Sequence, residues 1–354
     1  MNRLLLFNLA TDANDPVLGF TTLWINRLAA HWNHIDVITM RAGRLDVSPN
    51  VSVYSVGKEH GFSEARRALE FYRLLLTLLI RHRYAASFAH MMPLFTVMSA
   101  PLLKLIHVPI TLWYTHRQNS RTLEWATKWA DHVVTAAPDS FPINTPKLRV
   151  IGHGIDTAFF KPSPNPAHRE TRFTVVHIAR LMPIKHQAAL IRAAARLPEL
   201  RVIFVGDVPP EIDAAYKADL ETLADQLGAR ERVTFAGSLD RIGVRDHLWK
   251  ANAAVNLSPP GLFDKAALES MAVGVPTIVS SEAFRPLLGD HADALMIPAP
   301  DDPDALVNRL ETLMRMGAAD RDRLSADIRA RTVAQHSLDG LISRLNNVLK
   351  MGEP

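Results

Sequence analysis

Short apolar runs alternate with longer amphipathic segments along the chain. In the first half, runs with the composition of buried strands cover residues 4–9, 34–40, 51–56, 85–90, 110–114, 132–136 and 148–151. In the second half they cover residues 174–178, 201–205, 233–236, 253–257 and 276–279. Segments between these runs, such as 20–32 and 63–81, have apolar residues at helical spacing. This alternation predicts an α/β protein whose parallel sheets are covered by helices on both faces.

A proline-rich segment separates the two halves. Residues 160–170 include three prolines within five positions, and such a composition continues neither a helix nor a central strand. We therefore predict an amino-terminal domain over residues 1–162 and a carboxy-terminal domain over residues 163–334. The final segment, residues 335–354, is predicted to contain a helix that crosses back to the first domain.

The composition restricts the possible chemistry. The chain has 354 residues and no cysteine, which excludes disulfides, thiolate nucleophiles and sulfur-ligated metals. Residues 1–15 do not have the pattern of a secretory signal, so we expect a cytoplasmic protein. Residues 84–103 carry no formal charge, but His90, Pro93 and Pro101 suit a lipid-exposed helix poorly. We interpret this stretch as strand and helix of a soluble α/β domain rather than as a membrane span.

Positive charge is concentrated in the amino-terminal half. Residues 1–161 contain 17 Lys and Arg against 11 Asp and Glu, whereas the remainder contains 23 against 25. The predicted helix over 63–81 and the residues just after it interleave leucines with five cations: Arg66, Arg67, Arg73, Arg81 and Arg83. This pattern suits an anionic membrane surface, and a solvated helix that packs its leucines inward is the alternative. No nucleic-acid recognition module is present, so we expect no nucleic-acid partner.

Two cations follow the strand predicted over 174–178. Arg180 comes directly after this strand, where the carboxyl end of a parallel sheet opens onto ligands. A guanidinium there can bind two oxygens of one phosphate, and Lys185 adds a more mobile charge. Pro183 suits both the intervening turn and the first turn of a helix through Ala194. Two surface cations beside a helix start are the alternative interpretation.

A carboxylate is predicted one turn into a second helix. The strand over 253–257 is followed by a rigid turn, Ser-Pro-Pro-Gly, and a helix beginning near Asp264 or Lys265. The free amides of a helix start favour a diphosphate. Glu269 lies on the same helical face as Lys265 and is predicted to accept hydrogen bonds from the vicinal hydroxyls of a ribose. A simple surface pair between Lys265 and Glu269 is the alternative.

These motifs together resemble the retaining glycosyltransferases of family 4. The resemblance depends on Arg-x4-Lys after a strand and on Leu-Glu-Ser-Met-Ala-Val-Gly-Val-Pro over residues 268–276. It implies the GT-B fold, in which two Rossmann-like, doubly wound parallel-sheet domains face each other across a cleft. It further implies transfer of a sugar from a UDP- or GDP-sugar to a glycan or lipid-linked acceptor, with retention and without a metal or other cofactor. Arg180 and Lys185 would contact the diphosphate and Glu269 the ribose.

The chain departs from this family at one position of the donor site. Many members have two glutamates separated by seven residues, and Gly261 stands at the position of the first. Recognition of the sugar is therefore expected to depend on the backbone or side chain of Phe263 and Asp264, or on groups elsewhere. The full set of expected donor-binding residues is Gly19, Gly206, Gly261, Phe263, Asp264, Lys265, Ala266 and Glu269.

The first half is expected to bind the acceptor. The loop over residues 12–20 matches the family's first loop with its pair of glycines reduced to Gly19. His116 follows the strand over 110–114, where the family commonly places a histidine near the reacting sugar. We therefore expect His116 to be catalytic, together with Arg180 and Lys185. The expected role of His116 is to donate to a sugar hydroxyl or to the departing phosphate.

Other nucleotide-binding classes fit less well. No Gly-x-Gly-x-x-Gly follows a predicted strand, which argues against a dinucleotide oxidoreductase, and no Walker phosphate loop is present. A non-catalytic nucleotide-sugar binder or assembly partner of the same fold stays open because of Gly261.

Overall fold

The structure, a computed structural model, describes residues 2–15, 18–165, 170–259 and 261–351. The prolines at 16, 166 and 260, which belong to the predicted first loop, linker and turn, lie outside the described residues. The chain forms two compact units. The first comprises residues 1–154 and 338–354, and the second comprises residues 155–337.

Seven strands and four helices form the main part of the first unit. They are β1 (Arg3–Thr11), α1 (Phe20–Ala29), β2 (His34–Ala42), β3 (Val51–Ser55), α2 (Glu64–Arg81), β4 (Ala86–His90), α3 (Pro93–Leu105), β5 (Ile110–Trp113), α4 (Arg121–Trp129), β6 (His132–Thr135) and β7 (Leu148–Val150). The sheet has the order β3-β2-β1-β4-β5-β6-β7, and every pairing in it is parallel.

The second unit follows the same scheme with five strands. Its elements are β8 (Thr174–Ile178), α5 (Gln187–Arg196), β9 (Arg201–Val205), α6 (Ala215–Gln226), β10 (Val233–Phe235), α7 (Arg241–Lys250), β11 (Ala253–Asn256), α8 (Lys265–Val273), β12 (Thr277–Val279), α9 (Arg285–Leu288), α10 (Ala292–Leu295), α11 (Pro303–Arg315) and α12 (Ala318–His336). The parallel sheet has the order β10-β9-β8-β11-β12, so the ends of β8 and β11 are neighbours. The predicted fold class is confirmed, with a strand in each of the predicted runs.

The last helix, α13 (Leu338–Lys350), belongs to the first unit. It packs with α1 on one face of the sheet, where Leu4 and Leu6 of β1 also point. Leu5 and Phe7 point to the opposite face and pack under α2, α3 and α4. The alternation in β1 shows that this sheet is buried on both faces, which explains why its strands read as continuous apolar runs.

The segment that precedes the linker is attached to the second unit by aromatic and cationic side chains. The guanidinium of Arg241 lies 4.5 Å from the ring centre of Phe159 and contacts Asp156 at 3.0 Å. Trp249 donates its indole hydrogen to the carbonyl of Lys161 at 2.8 Å. These contacts fix residues 156–161 against α7.

The uncharged stretch over residues 84–103 forms β4 and most of α3, as predicted. Among the helices that the structure describes, none combines the length and the apolar character that crossing a bilayer requires.

Candidate functional site

The turn that carries Arg180 is held against the end of β9. Ala179 donates its amide hydrogen to Val205 at 3.0 Å, and Leu181 donates to Asp207 at 2.9 Å. Between these contacts Gly206 has φ +134°, and a Cβ there would lie 2.1 Å from the carbonyl oxygen of Ala179. Only glycine fits this close approach. Gly206 therefore supports the backbone beside Arg180.

The Arg180 side chain extends into solvent. Its Nη1 donates to Oε1 of Glu211 at 2.8 Å, and both side chains are more than half exposed. An exposed ion pair of this kind is weak and is displaced readily by a stronger anion. The guanidinium is thus available for a phosphate at the carboxyl end of β8.

Lys185 lies on a turn between β8 and α5. Residues 183–185 form a separate 3-10 turn, and α5 begins at Gln187, so the predicted continuous helix from Pro183 is wrong. The reason is His186, which adopts left-handed backbone with φ 51° and separates the two elements. Lys185 is consequently presented from a turn, and only 15% of its side chain is exposed.

The Lys185 ammonium joins the two sequence motifs. Its Nζ donates to Oδ2 of Asp264 at 2.6 Å and to Oγ of Ser258 at 3.0 Å. Oδ2 of Asp264 also accepts a hydrogen bond from Ser258 and one from Asn256 at 3.2 Å. Burial alone would raise the pKa of Asp264, but the Lys185 charge and these hydrogen bonds hold it below its ordinary value. Asp264 is thus an ionised partner of Lys185.

Helix α8 begins at this ion pair. Asp264 is its N-cap residue, yet its side chain accepts no hydrogen bond from the helix amides. The helix start therefore lacks the usual cap hydrogen bond from this side chain. At the other end, Gly274 has φ 85° and donates to Met271 and Ser270, which closes the helix before β12.

Lys265 and Glu269 are half-buried on the first two turns of α8. Burial raises the pKa of Glu269 above its ordinary value, against the opposing fields of Lys265 and Arg241. Burial also lowers the pKa of Lys265, against the field of Glu269. A partly dehydrated carboxyl next to a cation suits an uncharged ligand group with two hydroxyls.

The remaining donor-site residues of the second unit lie in the turn before α8 or at the start of this helix. Gly261 is buried and has φ 79°, in the left-handed region. Phe263 is 8% exposed, with its ring centre 4.5 Å from that of Phe284 and 5.0 Å from that of His336. Its side chain is thus a core contact that anchors the turn. Ala266 lies in the first turn of α8.

Gly19 and His116 lie in the first unit, after β1 and β5 respectively. The amide of Gly19 donates to the carbonyl of Asp15 at 2.9 Å, so this hydrogen is used within the loop. A Cβ at Gly19 would lie 2.7 Å from the same oxygen, which accounts for the glycine. His116 is exposed, and its Nδ1 accepts from the amide of Gln118 at 3.1 Å, so in the neutral ring Nε2 carries the hydrogen.

Sequence reasoning missed the groups that surround the two cations. Glu211, Asn256 and Ser258 were not predicted as site residues, and Asp264 was predicted as a donor ligand rather than as the partner of Lys185. Asn256 and Ser258 carried a usable signal, because each is a polar residue at the end of an apolar strand. Across the described ranges, the structure has no group of three His, Asp or Glu that could hold a metal ion.

Comparison with known proteins finds similarity to glycosyltransferases over part of the chain. Residues 160–331 match the family model described as Glycosyl transferases group 1. The D-inositol 3-phosphate glycosyltransferase of Mycolicibacterium smegmatis is 28% identical over 210 residues, which cover 57% of this chain and 48% of that relative. The chain thus spans about half the length of the curated relatives it matches.

Solved structures match over nearly the whole chain. HepE from Anabaena, in complex with UDP and glucose, has a TM-score of 0.75 at 18% identity. The match covers 99% of this chain and 100% of the HepE chain. WaaG, a glycosyltransferase involved in lipopolysaccharide biosynthesis, has a TM-score of 0.67 at 16% identity. The match covers 98% of this chain and 100% of the WaaG chain. These likenesses confirm the GT-B fold predicted from the sequence.

Proposed function

We propose that this protein, whose residues 160–331 match the model of the Glycosyl transferases group 1 family, moves a sugar from a nucleoside diphosphate donor to a glycan or lipid-linked acceptor. One observation carries the proposal: Lys185 and Asp264 form an ion pair at the start of α8, where β8 and β11 end, and Arg180 with its exposed guanidinium follows β8 at the same edge of the sheet. This arrangement places two cations, each paired with a carboxylate, at the carboxyl edge of a parallel sheet, where such folds bind phosphate.

The donor diphosphate would bind to the two cations and the helix start. Lys185 directs two of its three ammonium hydrogens to Asp264 and Ser258, so within the described chain one hydrogen is left for a phosphate oxygen. Arg180 would exchange Glu211 for a second oxygen. Glu269, one turn further into α8, would accept from the ribose hydroxyls. HepE was solved with UDP, which favours UDP over GDP as the first donor to test.

The reaction requires stabilisation of the leaving diphosphate. Negative charge grows on the bridging oxygen as the bond to the sugar breaks, and fixed cations next to that oxygen lower the barrier. We assign this role to Arg180 and Lys185. The acceptor would attack the face that the diphosphate leaves, and the leaving phosphate would take the acceptor's proton, which retains the anomeric configuration without a protein nucleophile. His116 would donate through Nε2 to a sugar hydroxyl or to the departing phosphate. No metal or other cofactor has a part in this scheme.

A donor screen tests this proposal. Thermal shift with UDP- and GDP-sugars identifies the donor, and nucleotide release with glycan or lipid-linked acceptors then tests turnover. Product NMR gives the anomeric configuration, for which we expect retention.

Gly261 favours a second candidate, a non-catalytic nucleotide-sugar binder, because it lacks the carboxylate expected at that position. Stabilisation by a donor without nucleotide release from any acceptor would establish the second candidate.

We also propose that the first unit binds an anionic membrane at the cytoplasmic face. Helix α2 buries Phe71, Leu74, Leu75 and Leu78 but leaves an apolar stripe exposed along its outer side. The stripe comprises Leu69, Tyr72, Leu76 and Ile80, of which Ile80 is 83% and Leu69 73% exposed. Arg66 and Arg73 border it at helical spacing, and both side chains lie at the surface.

The neighbouring helices α3 and α4 also expose apolar side chains. The rings of Phe71 and Phe95 stack at 4.5 Å, so α2 and α3 are adjacent on the same face of the sheet. Helix α3 ends in exposed Leu105 and Ile106, and α4 exposes Trp125 with the ammonium of Lys128 5.2 Å from its ring centre. Apolar side chains bordered by cations match the chemistry of an anionic bilayer surface. Such a position would bring the protein to a lipid-linked acceptor.

A further inference from the structure

Three donors converge on a single oxygen of Asp264. Oδ2 accepts from Nζ of Lys185 at 2.6 Å and from Nδ2 of Asn256 at 3.2 Å, and it also accepts from Oγ of Ser258. Lys185 and Asp264 are 79 positions apart in the chain, so the fold brings this pair together. A carboxylate with three fixed donors has a defined position and orientation.

Asp264 differs from the other N-cap aspartates of the second unit. Asp240 at the start of α7 accepts from the amide of Gly243, and Asp302 at the start of α11 accepts from the amide of Ala305. Asp264 occupies the corresponding position of α8 without capping it. An N-cap hydrogen bond stabilises a helix. The side chain of Asp264 gives up that interaction and binds Lys185 instead.

From this geometry we infer that Asp264 is a positioning residue, which holds the Lys185 ammonium so that its third hydrogen is directed at the donor diphosphate. The inference rests on the proposed function. A lysine side chain has four rotatable bonds and loses much freedom when it is fixed. If Asp264 and Ser258 fix it before the donor binds, the ammonium is already in place when charge develops on the leaving group.

The surroundings of the pair support this role. The hydroxyl of Ser280 donates to the carbonyl of Ser258 at 2.7 Å, and the amide of Ser280 donates to the carbonyl of Asn256. The backbone of both residues that flank the carboxylate is thus held by Ser280, the buried residue that follows β12. His177 on β8 is the other titratable group that faces the pair. Burial, and then the Lys185 charge, lower the pKa of His177 to about 4. The imidazole is therefore neutral near pH 7 and does not compete as a cation with Lys185 for the Asp264 carboxylate.

A double-mutant cycle tests the inference. Asp264→Asn keeps the shape of the side chain and removes its charge, Lys185→Ala removes the ammonium, and the double variant combines both changes. For Asp264→Asn we expect kcat to fall about tenfold to a hundredfold, because displacement of a catalytic group by about 1 Å has effects of this size. The donor KM should change by less than about threefold, since the cation is still present. In the Lys185→Ala background, Asp264→Asn should have little further effect.

Two results would overturn the inference. One is an equal fold-loss from Asp264→Asn in both backgrounds, which would mean that Asp264 acts independently of Lys185. The other is a loss of UDP-sugar binding with unchanged UDP binding, measured by calorimetry, which would make Asp264 a direct ligand of the sugar. A wild-type protein that binds neither UDP nor GDP would overturn the proposed function itself and this inference with it.

Two further variants complete the design. Asp302→Asn is the matched control, because it alters an N-cap aspartate of the same unit and should leave kcat and KM unchanged. If Asp264→Asn does not fold, Ser258→Ala replaces it, since this variant removes one partner of Lys185 and keeps the ion pair. Ser258→Ala must then lower kcat in the wild-type background and not in the Lys185→Ala background. Any other pattern contradicts the inference.

Discussion

Arg180 donates from Nη1 to Oε1 of Glu211 at 2.8 Å, across 31 positions of the chain. The two side chains are 59% and 57% exposed, so solvent screens the attraction between them. Exposed ion pairs typically contribute about 0–1 kcal/mol. A diphosphate carries more charge than one carboxylate and offers two oxygens to the guanidinium. Glu211 is therefore a weak occupant of the place where the donor would bind.

The first prediction compares the two members of this pair. Glu211→Gln should leave donor affinity unchanged or raise it by up to about fivefold, the equivalent of about 1 kcal/mol. Arg180→Ala should lower kcat about a hundredfold, because a group that stabilises developing charge is lost. Calorimetry with the donor and steady-state kinetics measure both effects.

Arg315→Ala is the control, since Arg315 forms a similar exposed pair with Glu311 on α11. A Glu211→Gln variant that binds the donor more weakly would show that Glu211 has a direct role in binding.

The second prediction concerns Gly206. A Cβ at this position would lie 2.1 Å from the carbonyl oxygen of Ala179, and the φ of +134° is unfavourable for any other residue. Gly206→Ala should therefore displace the turn that carries Arg180, lower the melting temperature and reduce kcat. Gly228→Ala is the control, because its φ of +62° causes strain but nothing lies within 4 Å of the added carbon. Similar losses of activity in the two variants would mean that backbone strain alone, and not the contact with Ala179, is responsible.

The third prediction concerns the pH dependence of donor binding through Glu269. Burial raises the pKa of this carboxyl above its ordinary value of 4.5, so a protonated fraction persists at pH values where an exposed glutamate is ionised. As the pH rises through this window, Glu269 ionises and becomes a stronger acceptor for ribose hydroxyls. The donor dissociation constant should then fall by about fivefold between about pH 5 and about pH 8.

Glu269→Gln in the same buffers is the control for every other titrating group, the donor phosphates included. This variant should bind the donor weakly at all pH values and lose the part of the pH dependence that Glu269 contributes. If the two proteins show parallel pH profiles, Glu269 does not contact the donor in its ionised form.

The sequence predicted the strands well because both sheets are buried on two faces. A strand such as β1 has Leu5 and Phe7 on one side and Leu4 and Leu6 on the other, so it appears in the sequence as a continuous apolar run whose ends are easy to locate. The placement of Lys185 beside the second motif was also within reach of sequence, since β8 and β11 were recognised as strands of one parallel sheet.

The contacts of individual side chains were beyond reach. The break between the Lys185 turn and α5 occurs at His186, a left-handed residue at a position where the sequence has neither glycine nor asparagine. Phe263 fills a core space beside Phe284, and its packing partner is 21 residues away in the sequence. In the second half of helix α2, apolar residues occur on most sides of the helix. The spacing of apolar residues therefore could not show that Leu76 and Ile80 face solvent while Leu75 and Leu78 face the sheet.

The fourth prediction tests the membrane proposal through that exposed stripe. Replacing Leu69, Leu76 and Ile80 by glutamine should abolish co-sedimentation with vesicles that contain phosphatidylglycerol, because each buried aliphatic side chain contributes about 1.5–3 kcal/mol to partitioning. Replacing Arg66 and Arg73 by glutamine should weaken binding less, by about 1 kcal/mol per charge, and only at low salt.

The matched control replaces Leu227 and Ile242, exposed apolar residues of the second unit, and should bind as the wild type does. Since the substituted stripe lies on the outer side of α2, thermal stability and donor binding should stay unchanged in every variant. Equal sedimentation of the stripe variant and the control would refute the membrane proposal and leave the exposed face of α2 to a protein partner.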